Sequence, residues 1–275
     1  MPELPEVDSV KSALQKMINW QIVDVLVRNC SLRYKVDINL QSLLIHKIIT
    51  QIVRVAKYLI ITLNDINNNN SYVIIHLGMS GSLGIVPHNL LPQKHDHIDI
   101  LFNNNYILRY NDPRRFGAII YSDAPYQQHK LFINLGPEPF DQKFNHNYLI
   151  NIIKNKSSTI KQVIMNQNIV VGVGNIYASE ALFMAKILPY KASNNLTVDE
   201  VKRLIVAIKQ VLTIAITNGG SSLRDYKLPS GELGNFQNIH MVYQKEHLPC
   251  VKCNHKIIAI KIANRNSFYC GVCQC

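Results

Sequence analysis

The apolar positions in the first half of the chain form short runs rich in β-branched residues, and turns separate these runs. The runs cover residues 22–27, 48–63, 72–77, 98–102, 106–110 and 118–121. Strands at such regular spacing predict a β-sandwich or a barrel. A polar tip at residues 67–70 lies between two runs and carries no evident chemistry.

Apolar residues follow helical spacing at the start of the chain and again in its second half. Positions 7, 10, 14, 17 and 18 predict an amphipathic helix that begins at Pro5 and Glu6. After the proline-rich segment 135–139 the spacing predicts helices at 159–165, 175–187 and 198–217. The last of these has a capping box at 197–200 and ends at two glycines. We place a domain boundary at the change of pattern near residue 135.

The charge of the chain predicts a polyanionic partner. Its 275 residues include 29 Lys and Arg against 18 Asp and Glu, a formal charge of +11. Nucleic acid is the simplest partner for such an excess, although an anionic membrane would also attract it. Charged residues interrupt every apolar run before it reaches membrane-spanning length, and the N-terminus does not resemble a signal peptide. We therefore expect a soluble cytosolic protein.

Four of the six cysteines form two Cys-x-x-Cys pairs near the C-terminus: Cys250, Cys253, Cys270 and Cys273. Two such turns at the ends of a β-hairpin provide tetrahedral ligands for zinc, and in a cytosolic protein this use is more common than disulfides. Four protein ligands leave no open coordination position. The pattern thus predicts one structural Zn²⁺.

The start of the chain offers a nucleophile. Removal of Met1 would expose the secondary amine of Pro2, which can attack an electrophilic sugar carbon and form an iminium directly. The positive end of the helix behind it would disfavour the protonated amine. An ordinary capped helix start with an exposed terminus explains the same residues.

Two turns combine cationic and apolar side chains in a way that suits the opening of a duplex. Residues 111–117 place Arg114 and Phe116 between two strands, and residues 76–82 place Met79 on a glycine-flanked tip. Arginine can bond an exposed base edge, while the apolar side chains wedge or fill a gap. Each side chain could instead be an ordinary loop or core residue.

Many ordered motifs make the chain resemble the bacterial formamidopyrimidine-DNA glycosylases over nearly its whole length. They are PELPEV at 2–7, AKYL at 56–59, HLGMSGSL at 76–83, KHDHID at 94–99, NDPRRFG at 111–117, LGPEP at 135–139, VGVGNIYASE at 171–180 and the cysteine quartet. The resemblance implies an α+β fold with an N-terminal β-sandwich flanked by helices. A helical helix-two-turns-helix module and a zinc-binding β-hairpin follow.

The resemblance also implies a domain organisation. We expect a catalytic β-sandwich domain at 1–134, a linker at 135–141 and the helix-two-turns-helix DNA-binding module at 142–222. A lesion-capping loop and the zinc finger occupy 223–275. The implied partner is double-stranded DNA with oxidised bases, bound by a monomer in the bacterial cytoplasm at the nucleoid.

The implied enzyme flips 8-oxoguanine or a ring-opened formamidopyrimidine out of DNA, removes the base and nicks the strand. By motif, Pro2 is the nucleophile at the sugar C1′ and Glu3 assists opening of the deoxyribose. Lys57 is the proton donor for β-elimination and a phosphate ligand, and Arg265 is the corresponding donor for δ-elimination. The remaining matches are DNA contacts: His95, Arg114, Lys156, Asn175, and the void-filling Met79 and Phe116.

Two other functions fit part of the pattern. An endonuclease VIII-type enzyme shares the Pro-Glu terminus and the finger but prefers oxidised pyrimidines. The Leu4-Pro5 pair and the set Met79, Arg114 and Phe116 favour the purine enzyme. A non-catalytic zinc-finger DNA-binding protein fits the charge and the cysteines but leaves Pro2, Glu3 and Lys57 without a role.

Overall fold

A computed structural model describes residues 2–221 and 235–275. The chain forms two compact units, Met1–Ile133 with Gly219–Asn235, and Asn134–Asn218 with Phe236–Cys275. The predicted domain bounds at 1–134, 135–141, 142–222 and 223–275 stay a prediction. Of the predicted lesion-capping loop and zinc finger at 223–275, residues 223–234 lie outside the described residues.

The first unit contains two four-stranded antiparallel sheets that share one apolar core. The strands are β1 Ile22–Val27, β2 Ile48–Val55, β3 Tyr58–Asn64, β4 Asn70–His76, β5 Ser82–Pro87, β6 Asp96–Phe102, β7 Tyr106–Asn111 and β8 Ala118–Ser122. One sheet has the strand order β1-β6-β7-β5, and the other has β2-β3-β4-β8. The predicted sandwich is confirmed.

Two helices flank this sandwich. Helix α1, Leu4–Leu14, packs against β2 and β3 and buries its apolar face in the core of the sandwich. Helix α2, Leu40–Leu44, packs against β1. Apolar residues at helical spacing near the start of the chain are therefore buried in the core, as expected for an amphipathic helix.

The second unit is helical and ends in a β-hairpin. Its helices are α3 His146–Ile153, α4 Ile160–Met165, α5 Asn175–Met184 and α6 Val198–Thr217, and its strands are β9 Ile258–Ile262 and β10 Arg265–Tyr269. Helix α5 packs against α4, α6 and β10. The predicted α+β class, with a sandwich, a helical module and a C-terminal hairpin, is confirmed.

Glu180 ties the segment before the hairpin to α5. Its fully buried carboxylate accepts backbone N–H bonds from Met241, Val242 and Tyr243 at 2.7–2.9 Å. Burial raises the pKa of Glu180, and the three N–H bonds act in the opposite direction. A single side chain thus anchors three consecutive residues.

Some elements differ from those that the sequence predicted. The run 48–63 is two strands, because the chain reverses at Ala56, where φ is +55°. Strand β5 was not predicted, since Gly84 and Pro87 interrupt its apolar pattern. Within the described ranges 2–221 and 235–275, no helix is long and apolar enough to cross a membrane.

Candidate functional site

The residues at the start of the chain are held in place by a buried carboxylate. Pro2 and Glu3 are buried and directly precede α1, with Glu3 as the N-cap. The Glu6 carboxylate accepts the backbone N–H of Glu3 at 2.7 Å, and its other oxygen accepts that of Ser221, also at 2.7 Å. Sequence reasoning missed this role of Glu6, although the Glu-x-x-Glu spacing at the helix start signals a capping interaction.

Lys57 lies in the tight turn between β2 and β3 and is only 7 % exposed. Arg54 braces this turn: its Nη1 donates to the Ala56 carbonyl at 3.1 Å, and its Nε donates to Asp8 at 3.2 Å. Lys57 thus stands on a short turn whose backbone is held by a hydrogen bond. This turn can therefore position a cationic catalytic group.

His76 lies beside this turn, and sequence reasoning did not identify it. Tyr58 pairs with His76 across β3 and β4, and the two ring centroids are 4.9 Å apart. Burial, followed by the charges of Arg33 and Lys57, lowers the pKa of His76 to about 4. The ring is thus neutral at pH 7, and its Nδ1 accepts the Gly78 N–H at 3.0 Å. The proton then resides on Nε2, which can donate to an anionic ligand.

Met79, Arg114 and Phe116 are exposed on two turns that the fold brings together. Met79 is 39 % exposed and Phe116 is 47 % exposed. The Arg114 guanidinium lies over the Phe116 ring, 5.0 Å from its centroid. A side chain at Gly78 would collide with the backbone of the second turn at Phe116 and Gly117, so the two turns are in direct contact.

In the second unit the structure brings Asn175 and the tip of the hairpin together. Asn175 is the first residue of α5, and its Nδ2 donates to the Asn266 carbonyl at 3.0 Å. Its Oδ1 is buried and has no hydrogen-bond partner among the residues that the structure describes. Arg265 is exposed at the start of β10, next to Asn266. A helix N-terminus and a guanidinium are thus neighbours, which suits the binding of phosphate.

Lys161 supports this arrangement and was also missed from the sequence. It is 1 % exposed, and its Nζ donates to the hydroxyls of Ser179 at 3.1 Å and Ser267 at 2.7 Å. These contacts join α4, α5 and β10 beneath Arg265. A lysine near the end of a polar segment gives no sequence signal for burial.

The two other predicted DNA contacts are His95 in the first unit and Lys156 in the second. His95 is half-buried in the segment before β6, and its carbonyl accepts the Asp112 N–H at 3.1 Å. Lys156 is exposed after α3, and its carbonyl accepts bonds from Asn194 and Ser193. The Lys156 backbone is thus fixed while its side chain is accessible.

The four cysteines converge at the base of the hairpin. One sulfur from each residue lies within 4.8 Å of all the others. The Sγ atoms of Cys250 and Cys273 are 3.9 Å apart, and those of Cys253 and Cys270 are 3.4 Å apart. Four thiolates at about 2.3 Å from a tetrahedral zinc lie roughly 3.8 Å from one another, so this group can hold such an ion.

The sequence matches two family models. Residues 1–119 match the formamidopyrimidine-DNA glycosylase N-terminal domain, and residues 135–227 match the formamidopyrimidine-DNA glycosylase H2TH domain. The formamidopyrimidine-DNA glycosylase of Legionella pneumophila (strain Lens) is 45% identical, over all of this chain and 98% of that protein. That of Haemophilus influenzae (strain PittEE) is also 45% identical, over all of this chain and 99% of that protein.

Solved structures agree with these matches. The wild-type Fpg (MutM) of Lactococcus lactis, in complex with DNA that contains N7-benzyl-Fapy-dG, is similar with a TM-score of 0.89. It is 33% identical, and the match covers 99% of both chains. The MutM (Fpg) protein of Thermus thermophilus has a TM-score of 0.87 and 32% identity, over 99% of this chain and 98% of that chain. The chain therefore belongs to the formamidopyrimidine-DNA glycosylase family, whose members are DNA glycosylases and AP lyases.

Proposed function

We propose that this chain excises oxidised purines, namely 8-oxoguanine and formamidopyrimidines, from duplex DNA and then cleaves the strand by β,δ-elimination. The observation that carries the proposal is the start of the chain, where the buried residues Pro2 and Glu3 precede α1 and Glu3 is its N-cap. Family membership over the full length supports the same chemistry. We further propose that the protein acts as a monomer in the cytoplasm.

Removal of Met1 exposes the Pro2 amine, and base release begins at this amine. The amine attacks C1′ of the damaged nucleotide, the bond from C1′ to the base breaks, and the base leaves with the proton that the amine loses. Glu3 supplies a proton to the sugar oxygen as the deoxyribose ring opens. The nitrogen stays bonded to C1′ as an iminium, so the protein is joined to the strand.

Strand cleavage follows from this intermediate. The iminium makes a hydrogen on C2′ acidic, and its loss expels the 3′ phosphate in β-elimination. A second elimination expels the 5′ phosphate. Lys57, in its braced turn, and Arg265, at the hairpin tip, are the proposed proton donors and phosphate ligands for these steps.

The damaged base is extruded while a wedge keeps the duplex open. Met79, Arg114 and Phe116 are the proposed wedge, because they are exposed side chains on two contacting turns. Asn175, Lys156 and His95 are the proposed backbone contacts. The formal charge of +11 supports them, since phosphate contacts supply most of the sequence-independent affinity for DNA.

The cysteine group is the proposed site of one structural Zn²⁺. Its sulfur spacing fits tetrahedral ligation, and four protein ligands leave no position for water or substrate. The metal would stabilise the hairpin that presents Arg265. The proposed domain boundaries remain those at 1–134, 135–141, 142–222 and 223–275.

Borohydride trapping tests the mechanism. Borohydride reduces the iminium to an amine, so an 8-oxoguanine duplex should yield a covalent adduct that survives denaturation and maps to Pro2. A protein with an uncleaved N-terminal tag is the matched control, and it should bind the duplex without trapping. Glu3→Gln should bind the lesion and release little base. An adduct at Lys57, or normal cleavage by the tagged protein, would refute the mechanism.

A panel of duplexes tests the substrate class. Each duplex carries one lesion: 8-oxoguanine, a formamidopyrimidine or thymine glycol. We expect the two purine lesions to be cleaved faster than thymine glycol. Preference for thymine glycol would assign the chain to the endonuclease VIII type of activity, and binding without cleavage of any duplex would make it a non-catalytic binding protein.

A further inference from the structure

One buried carboxylate joins the two turns that carry the proposed wedge. Asp112 is 0 % exposed. Its Oδ1 accepts the Ser80 hydroxyl at 2.8 Å, from the turn that carries Met79. Its Oδ2 accepts the Gly117 N–H at 2.8 Å, from the turn that carries Phe116. The carboxylate is therefore a direct link between the two turns.

Tyr110 also contacts the carboxylate of Asp112. Its hydroxyl donates to Asp112 Oδ2 at 3.1 Å, and a side chain at Gly117 would collide with that hydroxyl. Burial, followed by the charge of Asp112, raises the pKa of Tyr110, so the hydroxyl keeps its proton and remains a donor. The second turn is thus packed directly on a fixed aromatic ring.

The backbone of Asp112 reaches a third segment. Its N–H donates to the His95 carbonyl at 3.1 Å, and its carbonyl accepts a bond from His97 Nε2 at 2.8 Å. His95 is one of the proposed DNA contacts. A single residue thus bonds to three segments of the first unit that carry proposed DNA contacts.

We propose that Asp112 is a positioning residue that holds Met79, Arg114 and Phe116 as a preformed wedge in the DNA-free protein. This inference rests on the proposed function, because the wedge acts only when a base leaves the stack. A wedge on two independent turns would have to be ordered while the duplex opens, whereas a linked pair of turns loses little conformational entropy at that step. Asp112 itself has no contact with DNA in this role.

Amide hydrogen exchange tests the link in the DNA-free protein, independently of any enzymatic activity. Ser80→Ala removes one side of the link, and Ser82→Ala is the matched control, since Ser82 has no hydrogen bond to Asp112 within the described residues. We expect Ser80→Ala to speed exchange at 77–82 and also at 112–117, about tenfold or more, because the turns are coupled. Faster exchange at 77–82 alone would overturn the proposal.

Excision kinetics test the role of the link. We expect Ser80→Ala and Asp112→Asn to slow single-turnover release of 8-oxoguanine paired with cytosine by about tenfold to a hundredfold. Cleavage at a preformed abasic site, where no base must leave the stack, should stay within about twofold of the wild type. An equal loss of rate on both substrates would mean that Asp112 supports the structure in general. An unchanged rate on both would mean that the link does not affect excision. Either result would overturn the proposal.

A double-mutant cycle identifies the residue through which the link acts. If Ser80 acts by positioning Met79, then Ser80→Ala should slow excision much less in a Met79→Ala background than in the wild type. Additive effects would overturn the proposal. A wild-type protein without any activity on 8-oxoguanine would refute the proposed function instead, and the exchange experiment would still test the link.

Discussion

The carboxylate of Glu6 lies 2.7 Å from the backbone nitrogen of Glu3 and accepts its hydrogen bond at the start of α1. Its second oxygen accepts the backbone N–H of Ser221, 215 positions further along the chain. Glu6 is 2 % exposed, so water does not replace either bond. The start of the chain is thus fixed to a distant backbone segment of the same unit.

Glu6→Gln should lower the stability of the protein. A carboxylate accepts both N–H groups, but an amide presents one oxygen and one NH₂ group, which would face an N–H donor. An unsatisfied buried donor costs about 1–3 kcal/mol, and we expect a loss of this size in the free energy of unfolding. Urea denaturation measures it. Glu246→Gln, at an exposed position, is the control and should change stability by less than about 0.5 kcal/mol.

Metal analysis should find one zinc ion per chain. Cys250→Ser should lose most of the metal, because it removes one of four converging ligands. Cys275→Ser is the control, since Cys275 is exposed and lies outside the cluster, and it should keep the full content. Purified wild-type protein without zinc, or a Cys250→Ser protein that keeps one zinc ion per chain, would contradict the assignment of these cysteines as zinc ligands.

Acid should destabilise the protein partly through His76. Its pKa falls from 6.5 to about 4 in the folded state, so the unfolded chain binds more protons between these values. The contribution of His76 is therefore complete above pH 6.5 and is lost as the pH falls toward 4, by about 2–3 kcal/mol.

Substitution of His76 isolates this effect. Asn at position 76 can still accept the Gly78 N–H but does not titrate, so His76→Asn should lose less stability than the wild type between pH 7 and 4.5. Chemical denaturation at each pH measures the difference. His46→Asn, at an exposed position, is the control. Identical pH profiles for the wild type and His76→Asn would contradict the lowered pKa of the partly buried ring.

DNA binding should depend strongly on salt, because cationic side chains release counterions from the phosphates. Arg265→Ala should weaken binding to any duplex and reduce the slope of log K against log salt concentration by about 1. Lys202→Ala is the control, since Asp199 lies 3.8 Å from Lys202 on the same helix. Affinity that does not change with salt would contradict an electrostatic interface.

The sequence by itself determined the features that depend on neighbours within a few positions. The bounds of α6 follow from the capping box at Thr197 and Glu200 and from the glycines after Asn218, and the structure confirms them. The convergence of the four cysteines follows from two Cys-x-x-Cys turns and is also confirmed. Short-range hydrogen bonds and turn geometry control these features, so their residue patterns are diagnostic.

Only the tertiary structure decided which polar residues are buried and what they join. Glu6 and Ser221, Lys161 and Ser267, and Asp112 and Ser80 are pairs from distant parts of the chain. In the sequence, each of these residues resembles a solvated surface residue, because its neighbours along the chain do not indicate the partner. The burial of a polar group is favourable only when the fold supplies that partner, and the fold is a property of the whole chain.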